Sequence, residues 1–325
     1  MNMSKLKLIV TRRWHPEVEA VLSEHYDTQL NTDDHPMSVA ELQDALRNAD
    51  ALLPTVSDKV NAEVLSVDNM RAKILASNGV GFNHIDLDAA KAAGLTVTNT
   101  PEVLTDCTAD LAMTLLLMVA RRTGEGERHV RNGEWKGWRP THMMGTSVTG
   151  KTLGLIGMGR IARAVAARAA HGFNMKIIFH DPFPPKAEDI AGLNATQCAS
   201  PTDVFAQADF VSLHCPGGKD TYHLISTEAL AAMKPSAFLI NSARGDVIDE
   251  AALVTALENG EIAGAGLDVF EKEPAVHAGL LKMENVVLLP HLGSATQETR
   301  KAMGMRVVEN IDAFFAGQTP RDKVV

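Results

Sequence analysis

A glycine-punctuated turn between an apolar strand and a helix constrains this chain more than any other stretch. Thr152-Leu153-Gly154-Leu155-Ile156 reads as the strand, and Gly157-Met158-Gly159-Arg160-Ile161-Ala162 as the turn and helix start. Helical spacing continues through Ala164, Val165, Arg168 and Ala169, Gly172 is expected to end the helix, and Met175 to Phe179 forms the next strand. Gly157 permits a tight turn, Gly159 lets the backbone approach a pyrophosphate, and the small Ala162 lets helix and strand pack closely. Free N–H groups at the helix N-terminus, around Arg160 and Ile161, then face the anion.

Glycines in this pattern also serve ordinary βα connections, so the flanking elements carry the argument. Asp181 lies nineteen positions after Ala162, where an acid takes the adenosine ribose hydroxyls. Its other reading is a strand-end turn before Pro182. A carboxylate facing the ribose accepts hydrogen bonds from the free hydroxyls of NAD and repels the 2′-phosphate of NADP. No Arg or Lys follows before Lys186, so NAD is expected over NADP.

At 325 residues the chain is long enough for roughly two domains. A net charge of −9, with no Lys/Arg run, argues against a nucleic-acid partner. Cys107, Cys198 and Cys215 show no C-x-x-C spacing, and Met1 to Val10 contains no signal-peptide core; both point to a reduced, cytoplasmic protein. The apolar run Leu111 to Ala120 is interrupted by Thr114 and too short to span a bilayer, so no membrane partner is expected.

Strands are expected at Leu6 to Val10, Ala51 to Leu53, Ile74 to Ala76 and Thr96 to Thr98. Helices are expected at Pro16 to Ser23, from the capping box Ser38-Val39-Ala40-Glu41 to about Arg47, near Asn61 to Val67, and at Leu87 to Ala93. Alternation of this kind implies a parallel sheet covered on both faces. Within it, Asn78-Gly79-Val80-Gly81-Phe82-Asn83 is either a plain turn or a loop with N–H groups free for an anion. Thr105 to about Arg122 reads as one long helix crossing into the second domain. The segment Gly133 to Pro140 follows, and its Trp135 and Trp138 either line an interface or pack under the loop. Beyond the glycine turn, strands run into His214-Cys215-Pro216, Ser242-Ala243-Arg244-Gly245-Asp246, Asp268 to Pro274, and Pro290 to Thr296, and a closing helix follows from Thr296 to about Gly317.

Ligands of doubly wound sheets bind at the C-terminal ends of strands, and three such ends carry Arg244, Glu273 and His291. The set suits hydride chemistry on a 2-keto acid. A guanidinium holds the carboxylate at two points. A protonated His gives its proton to the carbonyl oxygen, and a neighbouring carboxylate favours that acid form and fixes the ring. Singly each residue has a bland alternative, since the chain has 12 histidines and strand ends often carry polar turns; joint placement favours the site. His214 and Cys215 lack partners at ligand spacing, so no metal is expected.

Together, Gly157-x-Gly159-x-x-Ala162, Asn241-Ser242-Ala243-Arg244-Gly245-Asp246, Gly266 to Pro274, and Pro290-His291-Leu292-Gly293-Ser294-Ala295-Thr296 resemble the D-isomer-specific 2-hydroxyacid dehydrogenases over nearly the whole chain. The resemblance implies an α/β protein of two doubly wound parallel-sheet domains, a Rossmann NAD-binding domain inserted in a flavodoxin-like substrate domain. The expected bounds are 1–104 for the first substrate segment, 105–290 for the NAD domain and 291–325 for the return. It further implies that Arg244 binds the carboxylate, Glu273 pairs with His291, and His291 is the acid/base. Asp268 would hold the nicotinamide amide. Thr108, Cys215, Pro216, Ala243 and Ser294 join Gly157, Gly159, Arg160, Ile161 and Asp181 as cofactor contacts, and Val80-Gly81 would supply N–H donors to the substrate.

The Trp135 to Pro140 and Leu53-Pro54-Thr55 segments are similar to those of glyoxylate/hydroxypyruvate reductases, in which the tryptophan matching Trp138 reaches a partner's active site; a homodimer is therefore implied. Ala162 stands where glycine is commoner and Asp110 where Glu is usual, both mild departures. Reduction of glyoxylate and hydroxypyruvate with NADH is the expected activity. The alternatives are a bulkier 2-keto acid and, from another class, a dinucleotide-sensing binding protein of the corepressor kind.

Overall fold

The computed structural model describes residues 5–325. Its chain forms two compact units, residues 5–104 with Ala295–Val325, and Thr105–Ser294. In the first, β1 (Lys7–Val10), α1 (Pro16–His25), β2 (Asp27–Gln29), α2 (Val39–Asn48), β3 (Ala51–Leu53), α3 (Ala62–Leu65), β4 (Ile74–Ala76), α4 (Leu87–Ala92) and β5 (Thr96–Thr98) alternate as the sequence pattern implies. All its ladders are parallel, in the order β2-β1-β3-β4-β5. The fully buried Ala51-Leu52-Leu53 and Ile74-Leu75-Ala76 show why these strands read as continuous apolar runs. Ser38 and Glu41 form the expected capping box. The polar β2 escaped the sequence reading because Asp27-Thr28-Gln29 is an edge strand with exposed residues.

The second unit starts with α5 (Thr105–Ala120) and α6 (Thr123–Arg131), then runs β6 (Thr152–Ile156), α7 (Arg160–Phe173), β7 (Lys176–His180), β8 (Ala195–Gln197), α8 (Pro201–Gln207), β9 (Phe210–Leu213), α9 (Thr227–Ala231), β10 (Phe238–Asn241), α10 (Glu250–Glu258), β11 (Gly264–Leu267) and β12 (Val286–Leu288). The remaining helix, α11 (Gln297–Phe315), belongs to the first unit and packs there against α1 and β4. The sheet is parallel throughout, ordered β12-β11-β10-β9-β6-β7-β8. Strand order reverses about β6 and β9 here, and about β1 and β3 in the smaller sheet. Loops leaving those pairs splay apart, opening a crevice at the strand C-terminal ends.

Several expectations are corrected. The long helix stops at Ala120, because Arg122 turns left-handed (φ 53°) and a second helix, α6, begins there; the Arg122 guanidinium pairs with Glu125. Gly172 lies inside α7, which ends at Asn174 (φ 51°), a residue that tolerates the left-handed turn. The second unit extends through Ser294 and so includes His291. Hydrogen bonds from the 291–293 turn to Asp268 account for that boundary.

Candidate active site

The turn after β6 sits at the reversal point of the larger sheet. Gly157 has φ 88°, and a Cβ there would come within 2.9 Å of the His214 carbonyl after β9, so only glycine passes. Gly159 caps α7 without any side-chain hydrogen bond, and open space lies where its Cβ would project. The start of α7 thus has no side-chain cap from Gly159, the arrangement in which a helix N-terminus can receive a phosphate.

Asp181 closes the other side. Its Oδ2 accepts the Met158 N–H at 2.7 Å and its Oδ1 the Phe183 N–H at 2.8 Å. The acid therefore braces the glycine turn and the strand-end turn, while each oxygen keeps a lone pair for a further donor. Cys215 and Pro216 follow β9 on the same rim, and burial pushes the Cys215 thiol up to about 11, so it stays neutral. His214 is likewise kept neutral, its pKa lowered to about 4 by burial, with Nε2 2.9 Å from Ser212 Oγ.

A second cluster gathers at the ends of β10, β11 and β12. After β10, Asn241 folds the chain: its Nδ2 donates to the Arg244 carbonyl at 2.8 Å, and its Oδ1 accepts from the Ala243 N–H at 3.0 Å. Arg244 is presented by this loop, and its Nη1 donates to the Ala243 carbonyl at 2.6 Å. Burial pulls its pKa below the ordinary arginine value, against the opposing charges of Glu273 and Asp246, yet it remains a cation.

After β11, Asp268 is 1% exposed and acts as a clamp. Its carboxylate accepts the N–H groups of Leu292 at 2.6 Å and Gly293 at 2.8 Å, and its carbonyl accepts the His291 N–H at 2.9 Å. These bonds hold His291 in the left-handed region at φ 56°, a conformation that costs a non-glycine residue about 1–3 kcal/mol. Burial raises the Asp268 pKa, partly offset by the same N–H groups. Thr108 from α5 is buried against Gly293.

His291 Nδ1 lies 2.9 Å from Glu273 Oε2, and Glu273 Oε1 accepts the Phe270 N–H at 3.1 Å. With the carboxylate ionised, Nδ1 carries its proton toward Glu273. Burial pushes Glu273 up, but the His291 hydrogen bond and charge, the Phe270 N–H and Arg244 more than reverse it, leaving its pKa below the usual carboxylate range.

Thr108, Arg244, Asp268, Glu273, His291 and Ser294 thus share one unit with the glycine turn. Val80 and Gly81 belong to the other unit, where the carbonyls of Gly79 and Val80 are taken by Thr100 N–H and Asn99 Nδ2. The N–H groups of Val80 and Gly81 have no acceptor among the described residues. Trp138 is 81% exposed in this chain, and Trp135 is exposed too, so neither packs under its loop. Among the described residues no cluster of His, Cys, Asp or Glu could hold a metal, and no helix is long and apolar enough to cross a membrane. The roles of Asn241 and Gly245 went unread in the sequence, although an Asn at a strand end before Ser-Ala is a turn signal.

A nucleotide cradle at one reversal point and a His–carboxylate pair at neighbouring strand ends define an NAD-linked oxidoreductase of the doubly wound class. Residues 113–293 match the model of the D-isomer specific 2-hydroxyacid dehydrogenase NAD binding domain. The glyoxylate reductase of Thermococcus litoralis is 44% identical over 325 residues, covering 98% of this chain and 97% of its own. Among solved structures, a glyoxylate reductase from Paecilomyes thermophila superposes with a TM-score of 0.87 at 32% identity, covering 99% of each chain. An NADPH-dependent glyoxylate/hydroxypyruvate reductase from Sinorhizobium meliloti, solved with NADP and malonate, gives 0.87 at 36% identity, covering 99% of this chain and 97% of that one. The chain belongs to the D-isomer specific 2-hydroxyacid dehydrogenases, a family of NAD-binding oxidoreductases.

The depressed pKa of Glu273 has a measurable consequence. A carboxylate held below its unfolded value stabilises the fold fully above that value, and the contribution fades as pH falls through the lower folded one. Glu273→Gln is expected to lower the Tm near neutrality, and the gap to wild type should close as pH drops below about 4.3, the ordinary Glu value. Calorimetry across pH checks this; a gap independent of pH contradicts it.

Proposed function

We propose that this protein reduces small 2-keto acids, glyoxylate and hydroxypyruvate first, with NADH. The observation that carries the reading is the His291–Glu273 pair, at 2.9 Å, in the same unit as Arg244 and the nucleotide cradle. When bound, NADH supplies the hydride. Arg244 takes the substrate carboxylate through its planar guanidinium. His291 Nε2 gives a proton to the carbonyl oxygen as the carbonyl carbon becomes tetrahedral, and recovers it in the reverse direction. Glu273 sets the tautomer and offsets the imidazolium charge. Asp268, by holding the 291–293 turn, keeps the imidazole in place, in addition to its proposed contact with the nicotinamide amide. Thr108, Ala243, Cys215, Pro216 and Ser294 complete the cofactor contacts.

The substrate assignment draws on the names of the relatives, several of them glyoxylate reductases from archaea. The cofactor assignment departs from the Sinorhizobium meliloti neighbour, which is NADPH-dependent. In this chain Asp181 already lies against the glycine turn through Met158, so a 2′-phosphate there meets a fixed negative charge. Side-by-side NADH and NADPH oxidation with each keto acid tests both assignments. The expected result is faster NADH use, with Asp181→Ser raising NADPH use relative to NADH by about tenfold or more, one like-charge contact's worth. A strong NADPH preference in the wild type sinks the role given to Asp181, and no turnover of any 2-keto acid sinks the activity.

We also propose a homodimer, in which the exposed Trp138 packs on the second copy. Sedimentation should give twice the mass of one 34.9 kDa chain, and Trp138→Ala should raise the KM for the keto acid. A monomer at assay concentration contradicts it.

A further inference from the structure

His223 is a partly buried titratable residue that the reaction outlined above does not use. It precedes the short strand-like stretch at Ile225 that bridges Ile248, and its backbone is left-handed at φ 51°. Such a conformation is unfavourable for a non-glycine residue, so its surroundings must over-determine it. Its N–H donates to the Asp246 carbonyl at 2.9 Å, and its ring stacks on Tyr222 with centroids 3.9 Å apart and planes 15° apart.

The ring stands between two carboxylates from two different arms. Nδ1 is 3.8 Å from Asp249 Oδ2, and Nε2 is 3.4 Å from Glu271 Oε1. Nε2 is buried and makes no aligned hydrogen bond among the described residues, so it meets Glu271 by proximity. Asp249 begins α10, five positions after Arg244, and its Oδ1 is committed to the N–H groups of Ala251 and Ala252. Glu271 lies two positions before Glu273. The imidazole therefore bridges the arm that presents Arg244 to the arm that presents Glu273.

Two further contacts show that these arms are fitted to each other. A Cβ on Gly245 would fall 1.9 Å from the carbonyl carbon and oxygen of Phe270, so the two backbones touch where Gly245 has no side chain. Glu250, 6% exposed, accepts the Glu271 N–H at 2.9 Å. The loop before His223 is moulded on the same place: Gly218 N–H donates to Asp246 Oδ2 at 2.9 Å, and a Cβ on Gly217 would lie 2.9 Å from Arg244 Cβ. Glu250 joins the arms through its side-chain carboxylate and Gly245 through its backbone, whereas the His223 ring stands between one carboxylate of each arm.

We propose that His223 is a positioning residue, clasping the Asp249 end of the Arg244 arm to Glu271 so that the carboxylate anchor and the Glu273–His291 pair keep a fixed spacing. This rests on the reductase reading above. The clasp acts through Arg244 and Glu273 and touches no reacting atom. Misplacement of a substrate anchor by a fraction of an ångström costs a large part of the rate without altering the cofactor cradle, which is built on other strands.

The test is a double-mutant cycle with His223→Asn and Glu271→Gln. Asn tolerates the left-handed backbone but is too short to reach both carboxylates, so the first variant removes the links and keeps the loop. Each single variant should lower kcat/KM for glyoxylate about tenfold, with the dissociation constant for NADH, read by fluorescence, unchanged. Because both remove the same link, the double variant should be no worse than the poorer single one. Losses that multiply, a silent single variant, or parallel loss of NADH binding overturn the clasp. If the wild type turns over no 2-keto acid, the functional reading fails instead. The same cycle followed by thermal melting then decides the link: non-additive losses of Tm support it, and additive losses remove it.

Discussion

The buried carboxylate of Asp268 is the contact on which the site depends. It reaches from the end of β11 to the turn after β12 and takes the N–H groups of Leu292 and Gly293, while its own carbonyl takes that of His291. Three bonds from one residue hold His291 in a backbone conformation it would not adopt alone. Without them the ring has no reason to meet Glu273, and Glu273 has no partner to offset its burial. The clamp is also the reason the second unit reaches Ser294, since the turn is tied to the sheet that precedes it.

Parallel sheets supply the rest of the positioning. In each unit the strand order reverses once, and adjacent loops at the reversal leave in opposite directions. In the larger sheet the reversal brings Gly157 against His214, closely enough that no side chain fits between them. In the smaller one it brings the loop after β1 against that after β3, where the buried Asp58 accepts bonds from the Thr11 hydroxyl at 2.5 Å and the Thr55 N–H at 2.7 Å. Chemistry-bearing residues thus sit on short loops braced by buried carboxylates. The depression along the edge strand β12, lined also by Arg122, Arg128, Met144 and Leu281, holds none of them.

Much of this was legible from residue order. The central strands are continuous apolar runs bounded by turn residues, and Ser38 marks a helix start by the side chain that caps it. The glycine turn, Arg244, Glu273 and His291 were legible as candidates only through their joint placement at strand ends, since each alone has a bland alternative. What escaped was set by contacts between segments distant in sequence. β2 and β8 are short, polar and at sheet edges, so they carry no apolar pattern. The end of α5 depends on Arg122 finding Glu125 in a new helix, and the end of α7 on a left-handed Asn174 rather than on Gly172. Asp181 was read toward a cofactor or as a strand-end turn, and Asp268 toward a cofactor; Asp181 accepts the Phe183 N–H of that turn, and the bonds from Met158 to Asp181 and from Leu292 to Asp268 are ones that no sequence pattern announces. His223 gave no signal, and Gly245 was read only as part of a motif, because their meaning lies in what packs against them.

The central claim is that His291 moves the proton while Glu273 and Asp268 hold it in place. Stopped-flow NADH oxidation with glyoxylate by His291→Asn, a residue that tolerates the same left-handed backbone, measures it most directly. The account predicts a fall in turnover of about 10²–10⁴-fold with NADH affinity retained. Turnover within a few-fold of wild type would contradict it.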